Sequence, residues 1–173
     1  MKAKVFMVFA AFIVIGCVSV PSPSSKANTL MAGQFLVNVN ASGEMSGANR
    51  SYKINIGIYF ENNQTGKITS IHTQRNGWLL SNKLNGGDYT IQYLYIEHTD
   101  GNTVYQMTLN GPFSVTLEEG LVNNIGVVQI DVGTGTYTYQ VADYDTVKLD
   151  FQNEFPKSEW NSYQWKDLYL FSR

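Results

Sequence analysis

Apolar and polar residues alternate along much of the chain, with the period of two that is typical of β-strands. In the clearest segment, Ile54, Ile56, Ile58 and Phe60 alternate with residues such as Asn55 and Gly57. Successive side chains of a strand point to opposite faces, so this pattern predicts a strand with one buried face.

Other segments follow the same pattern or are apolar on both faces. Alternation predicts further strands over residues 35–40, 113–117, 137–141 and 147–151. Residues 88–97 and 125–132 are apolar on both faces in places, which is typical of central strands. Polar turns separate the segments, and Asp100-Gly101 favours a tight hairpin because it tolerates positive φ. Many short strands with polar turns predict an all-β, antiparallel β-sandwich of about seven to nine strands.

The C-terminal tail has a different pattern. After Pro156, the aromatic residues Trp160 and Tyr163 and the aliphatic Leu168 could share one face of a short helix. Proline suits the first turn of a helix, so a short C-terminal helix is predicted there. The alternative is an irregular aromatic tail that packs across the edge of a sheet.

The chain begins with a short apolar leader. Lys2 and Lys4 precede an apolar run from Val5 to Ile15, which has the length of the hydrophobic region of a signal peptide. The run is too short to span a hydrocarbon core, which needs about 20 residues. Residues 1–16 are therefore predicted to be a signal peptide.

The only cysteine lies directly after this leader. Val14-Ile15-Gly16-Cys17 resembles the lipobox of bacterial lipoproteins. The resemblance implies cleavage between Gly16 and Cys17 and a covalent lipid on the Cys17 thiol, with several acyl chains anchoring the protein stably in a membrane. Val18 rather than an acidic residue follows the cysteine, which favours the outer membrane of the cell envelope over the inner one. The alternative is an ordinary signal peptide that leaves a free thiol.

Composition divides the remaining chain into a tether and one domain. Residues 17–33 are rich in serine, proline and small residues, which predicts a lipidated cysteine followed by a flexible tether. Residues 34–173 suffice for a single β-sandwich domain with one core. The net charge of the chain is −2, and the leader contributes two lysines, so the mature surface is mildly acidic. This charge argues against nucleic acid as a partner.

One internal stretch carries a second resemblance. In NGWLLSNKLNGGDYTIQYLYI, residues 76–96, Gly77-Trp78 is followed by Leu84, Gly87 and Tyr89. This spacing resembles prealbumin-like and carboxypeptidase-regulatory-like β-sandwich domains. The resemblance implies that Leu84 enters the core and that Tyr89 begins a central strand. It also implies a module for binding, adhesion or structure, because these domains share no catalytic apparatus.

A lipocalin-like barrel is the alternative fold, with a small apolar ligand as its implied cargo. It too has many antiparallel strands and a helix near its end. The early Gly-x-Trp signature of lipocalins is missing, since Gly77 and Trp78 are adjacent and lie in the middle of the domain.

The sequence offers little catalytic or metal-binding chemistry. His72 and His98 are the only histidines, and neither lies in a nucleophile motif such as GxSxG. No phosphate-binding glycine motif and no metal-ligand spacing is present, so neither a catalytic residue nor a cofactor or metal is predicted. The protein is expected not to be an enzyme. A hydrolase is the least favoured alternative.

Aromatic residues are the most suggestive feature. The chain has 11 Tyr, 9 Phe and 3 Trp. Exposed tyrosines on a sheet can stack on sugars or contact a protein partner, whereas buried ones fill a core. The candidate binding surface consists of Tyr93, Tyr95, Tyr105, Tyr137 and Tyr139. The alternative, which tyrosine's ordinary occurrence in strands favours, is that these residues fill the core and pair across strands. The sequence thus favours a lipid-anchored envelope protein whose sandwich binds a protein or glycan, or has a structural role.

Overall fold

A computed structural model describes residues 18–39, 53–74, 76–100, 103–132 and 137–169. Within these ranges the chain forms nine strands, one α-helix and one short 3₁₀ helix, which spans Glu159–Ser162. The strands and the helix, in chain order, are β1 (Leu30–Val39), β2 (Lys53–Asn62), β3 (Ile68–His72), β4 (Trp78–Ser81), β5 (Gly87–Asp100), β6 (Thr103–Leu117), β7 (Val122–Val132), β8 (Tyr137–Ala142), α1 (Tyr144–Glu154) and β9 (Trp165–Asp167).

Four strands form a fully antiparallel sheet in the order β3-β2-β5-β6. The predicted strand around Ile56 is β2, and the segment predicted to be central is β5, which lies between β2 and β6. Asp100 pairs with Thr103, so β5 and β6 are joined by a two-residue connection at the predicted hairpin.

The other strands form a mixed sheet in the order β4-β1-β7-β8, with β9 also paired to β7. The predicted central strand is β7, which has β1 on one side and β8 and β9 on the other. Two of its pairings, with β1 and with β9, are parallel. The sequence predicted antiparallel pairing throughout, and this is wrong for these two pairs of strands.

A large hydrophobic core, here called the central core, lies between the two sheets. It includes Ile56, Ile58 and Phe60 from the antiparallel sheet and Phe35 and Val128 from the mixed sheet. In the described residues the strands pair within two separate sheets rather than in one closed sheet. The predicted all-β sandwich is confirmed, and the lipocalin-like alternative is wrong.

A second cluster, here called the outer core, covers the other face of the mixed sheet. Neighbouring residues of one strand divide between the two cores, as Leu79 lies in the central core and Leu80 in the outer core. The members of the outer core are Leu30, Ala32, Trp78, Leu80, Val122, Val147, Phe151 and Trp160. The mixed sheet is therefore buried on both faces, and the molecule has three layers.

The third layer corrects the prediction for the C-terminal region. Residues 147–151, predicted as a strand, belong to α1. Val147 and Phe151 are four residues apart, so both face the outer core, while Leu149 is exposed. The predicted helix after Pro156 is only the 3₁₀ turn Glu159–Ser162, followed by β9. Trp160 and Tyr163 do pack together, but Leu168 contributes to the central core instead.

The predicted boundary between tether and domain also differs from the structure. β1 begins at Leu30, and Leu30 and Met31 are fully buried, although both fall within the predicted tether 17–33. Val18 and Val20, also within the predicted tether, pack against the outer core and help to cover it. Serine and proline content alone did not reveal this packing.

Candidate functional site

The outer face of the antiparallel sheet carries an aromatic patch, defined here as Tyr59, His72, Tyr93 and Tyr95 around Gly57. In the strand register, Gly57 lies between His72 and Tyr95, and Tyr59 lies beside Tyr93. These side chains point away from the central core because they alternate with buried residues of β2, β3 and β5. His72 is exposed, and the three tyrosines are half-buried.

A β-bulge in β5 creates this patch. The pairing of β5 with β2 shifts between Ile91 and Tyr93, so Gln92 is an extra residue. Before the bulge Tyr89 and Ile91 are buried, and after it Leu94 is buried. Unbroken alternation would place Tyr93 and Tyr95 on the same face as Ile91. The extra residue reverses the alternation and brings both tyrosines to the outer face, in keeping with the frequent role of bulges in redirecting side chains.

The Tyr59 ring contacts two other rings of the patch. Tyr59 and Tyr93 stack with ring centroids 4.2 Å apart and an angle of 24° between the ring planes. His72 meets Tyr59 edge-on at 6.4 Å. A side chain on Gly57 would lie 2.9 Å from Cε1 of His72, so the imidazole occupies the space above this glycine. The absence of a side chain at position 57 therefore lets His72 and Tyr59 form a continuous surface.

Polar side chains border the aromatic patch. Gln92 donates a hydrogen bond to Glu61, and Thr90 donates one to Asn63 with a length of 2.8 Å. Ser70 pairs with Tyr59 in the register and is half-buried. The stacked rings thus have hydroxyl, amide and carboxylate groups beside them, which is the composition of a site that orients a polar ligand.

The structure divides the five tyrosines that the sequence proposed as a binding surface. Tyr93 and Tyr95 lie in the patch. Tyr105 lies in β6 of the same sheet, whereas Tyr137 and Tyr139 lie in β8 of the mixed sheet. The five residues therefore do not share one sheet. The side chains of Tyr105, Tyr137 and Tyr139 lie outside the described part, as do Gly16 and Cys17 altogether.

Sequence reasoning missed Tyr59 and His72 as members of the patch. The available signal was the position of Tyr59, an aromatic residue on the otherwise polar side of the alternating strand β2. His72 could not be placed beside it without knowing that β3 pairs with β2.

A second candidate is an open cleft of about 420 Å³ on the third layer. One side is formed by Val18, Val20, Pro21 and Ser22, and the other by residues 154–159, where α1 ends. The carboxylate of Glu154 accepts hydrogen bonds from the Trp78 indole (2.8 Å) and the Asn76 amide (3.2 Å). These bonds fix the end of α1 against β4.

A polar cluster around the buried Asn124 joins β7, β9 and α1. The Asn124 amide donates to the backbone oxygen of Tyr144 (2.9 Å) and to Asp167 (3.0 Å). Burial raises the pKa of the Tyr144 phenol, and the neighbouring Tyr169 and Asp167 raise that pKa further. Because the polar groups of Asn124 are paired within the protein, this cluster serves packing rather than ligand binding.

The described residues contain no metal cluster, since among them no group of three or more His, Cys, Asp and Glu side chains could hold a metal ion. The His72 ring packs edge-on against Tyr59. Within the same part of the chain, no helix combines the length and apolar character needed to cross a bilayer.

The comparisons with known proteins give no relatives. No family model, no curated protein and no solved structure matches the chain. The resemblance of residues 76–96 to prealbumin-like domains therefore stays a prediction. Within that segment Leu84 is buried, and Tyr89 is buried near the start of β5, where its hydroxyl donates to the backbone carbonyl of Asn85 (3.1 Å).

Proposed function

We propose that the protein is a lipid-anchored bacterial envelope protein whose β-sandwich binds a glycan on the aromatic patch. The observation that carries the binding role is the stacked pair Tyr59–Tyr93 on the outer face of the antiparallel sheet, with polar groups beside it. An aromatic ring packs against the C–H face of a sugar ring, while neighbouring polar groups bond its hydroxyls. The wide, open sheet face suits an extended chain of sugars.

The anchoring role is supported by the sequence around Cys17. The apolar run ends at Gly16-Cys17 in the pattern of a lipobox, and the chain has no other cysteine. A lipid on Cys17 would hold the sandwich at the surface of the outer membrane without a membrane-spanning helix. Cys17 would be the first residue of the mature protein, next to Val18 on the third layer.

A lipocalin-like carrier of small ligands receives no support from the fold. The space between the sheets is filled by buried side chains such as Phe60, Ile91 and Leu94. We favour a binding module over a hydrolase, because His72 packs edge-on against Tyr59 within the aromatic patch.

The binding role can be tested on residues 17–173 carrying Cys17→Ser, screened against a panel of neutral and acidic oligosaccharides. We expect binding that weakens at least about tenfold, or about 1.4 kcal/mol, in Tyr59→Ala. Tyr169→Ala is the matched control, because Tyr169 is 63% exposed but lies on the C-terminal tail. Equal losses in the two variants, or no glycan binding by the folded protein, would overturn the glycan proposal. Binding of a protein partner that depends on Tyr59 would replace the glycan as ligand.

The anchor is tested by the intact mass of the protein from its native membrane. We expect a mass that corresponds to cleavage before Cys17 plus acyl chains, and loss of this modification in Cys17→Ser. An unacylated chain cut near the same position would contradict the lipoprotein proposal.

A further inference from the structure

The segment directly after the proposed lipidation site is bound to the domain. Residues 18–28, here called the strap, form part of the third layer. Gln74 binds the backbone of Ser19 twice, accepting a hydrogen bond from its N–H (2.8 Å) and donating one to its carbonyl (2.7 Å). This reciprocal pair fixes the strap two residues after Cys17.

Further contacts hold the strap along its length. The indole of Trp160 donates to the carbonyl of Pro21 (2.5 Å), and the amide of Asn82 donates to the carbonyl of Ser22 (3.1 Å). At the far end, Asn28 donates to Glu119 (3.3 Å). Val18 and Val20 pack against the outer core. Side chains from three parts of the chain therefore replace the hydrogen bonds that an exposed strap would make with water.

This arrangement changes the distance between lipid and domain. A flexible tether of residues 17–33 would give a root-mean-square separation of about 20–25 Å and leave the domain free to turn. With the strap bound, Val18 is the direct neighbour of the acylated Cys17, and consecutive Cα atoms are only about 3.8 Å apart. The headgroup layer of a leaflet is about 5–7 Å thick, so the surface around Val18 has to lie within or on it.

The cleft beside Val18 lies on the same surface. Lys157 and Glu159 on its wall are exposed and carry opposite charges, while Pro156 and Val20 contribute apolar area. A zwitterionic phospholipid headgroup has a phosphate that complements Lys157 and an ammonium group that complements Glu159. Glu154 is already bonded to Trp78 and Asn76.

We propose that the cleft between the strap and residues 154–159 is the membrane-facing surface and that zwitterionic phospholipid headgroups of the anchoring leaflet occupy it. The bound strap fixes the orientation of the domain relative to the bilayer. The antiparallel sheet, with its aromatic patch, then faces away from the membrane. This inference rests on the proposed lipidation of Cys17.

The test uses the acylated mature protein, residues 17–173, checked by intact mass and reconstituted in phosphatidylethanolamine-containing vesicles with a quencher on the headgroups. An acylated Cys17 leaves an introduced cysteine as the only free thiol, so a fluorophore is attached through Ser158→Cys, in the wall of the cleft, in one protein and through Ser114→Cys in another. Ser114 is exposed on the antiparallel sheet, with a whole sheet and the central core between it and the strap. We expect about threefold greater quenching at position 158, because stacked sheets alone are about 10 Å apart.

Two strap-release variants make the result specific. Gln74→Ala removes both bonds to Ser19, and Trp160→Phe removes the bond to Pro21. Each should reduce the difference in quenching between positions 158 and 114, whereas Gln64→Ala, in the exposed turn after β2, should leave it unchanged. Equal quenching at both positions in the acylated protein would overturn the fixed orientation while leaving the lipoprotein proposal intact. Absence of acylation would overturn both.

Discussion

Gly77 and Gly120 have the same backbone requirement but different surroundings. Their φ angles are +87° and +74°, in the region that L-residues rarely adopt. A Cβ at position 77 would lie 2.5 Å from the backbone oxygen of Phe35, whereas a Cβ at position 120 would have nothing within 4 Å. Gly77 is also paired with β1 through its carbonyl, which accepts from the Phe35 N–H (2.9 Å).

The two glycines therefore allow backbone strain to be separated from steric overlap. Gly120→Ala should lower the free energy of unfolding by about 1–2 kcal/mol through strain alone. Gly77→Ala should lower it by at least about 1 kcal/mol more, because the backbone of β1 has to move. Urea unfolding of both variants measures the difference. Equal losses would mean that β1 accommodates the new methyl group without cost.

Of the individual residues in the aromatic patch, the sequence predicted only some. It named Tyr93 and Tyr95 as candidates for a binding surface and expected Tyr89 to begin a central strand. Tyr89 is buried while Tyr93 and Tyr95 lie on the outer face only because Gln92 is an extra residue in β5. A one-residue bulge cannot be located from the sequence of a segment that is apolar on both faces. Its position is determined by the pairing of β5 with β2. The same pairing brings Tyr59 beside Tyr93, which alternation in a single strand cannot predict.

Among the elements, α1 depends on a single residue at its start. Asp143 has φ of +57°, and its carboxylate accepts a hydrogen bond from the backbone N–H of Thr146 (3.1 Å). Asp143→Ala should lower the free energy of unfolding by about 1–2 kcal/mol, because it removes the cap and strains the backbone. Asp143→Asn should stay within about 0.5 kcal/mol, since asparagine caps helices and tolerates this conformation. A similar loss in both variants, measured by urea unfolding, would show that the negative charge matters instead.

The same element shows why short patterns are ambiguous. In Val147-Lys-Leu-Asp-Phe151, apolar residues lie two and four positions apart, so the segment fits a strand and one turn of a helix. The strand requires Leu149 on the buried face, but 58% of Leu149 is exposed. The cap at Asp143 and the uncovered face of the mixed sheet decide in favour of the helix. Of these two factors, only the capping residue can be recognised in the sequence.

For the whole molecule, the sandwich could be predicted and the third layer could not. Alternation marks a strand with one buried face, and it identified the segments that became β2 and β8. A strand buried on both faces needs a second cover, and nothing local specifies which segment provides it. Here α1, the 3₁₀ helix and the strap provide it. Residues 18–28 resemble a tether in composition because their packing relies on a few valines and on backbone groups bonded by distant side chains.

The mixed sheet also couples the two cores. β1, β4 and β7 each contribute residues to both of them, so loss of either core exposes this sheet. The protein should therefore unfold in one cooperative transition. Tryptophan fluorescence reports the outer core, because all three tryptophans lie in it or pack against it. Far-UV circular dichroism reports mainly the strands.

The coupling is tested by removing one large side chain from each core. Phe151→Ala in the outer core and Phe60→Ala in the central core should each lower the free energy of unfolding by about 3–5 kcal/mol, because both side chains are fully buried. In both variants, fluorescence and circular dichroism should give the same urea midpoint. If fluorescence changes first in Phe151→Ala, the third layer unfolds independently of the sandwich. The strap would then separate from the domain together with that layer, and the fixed orientation at the membrane would be lost before the aromatic patch.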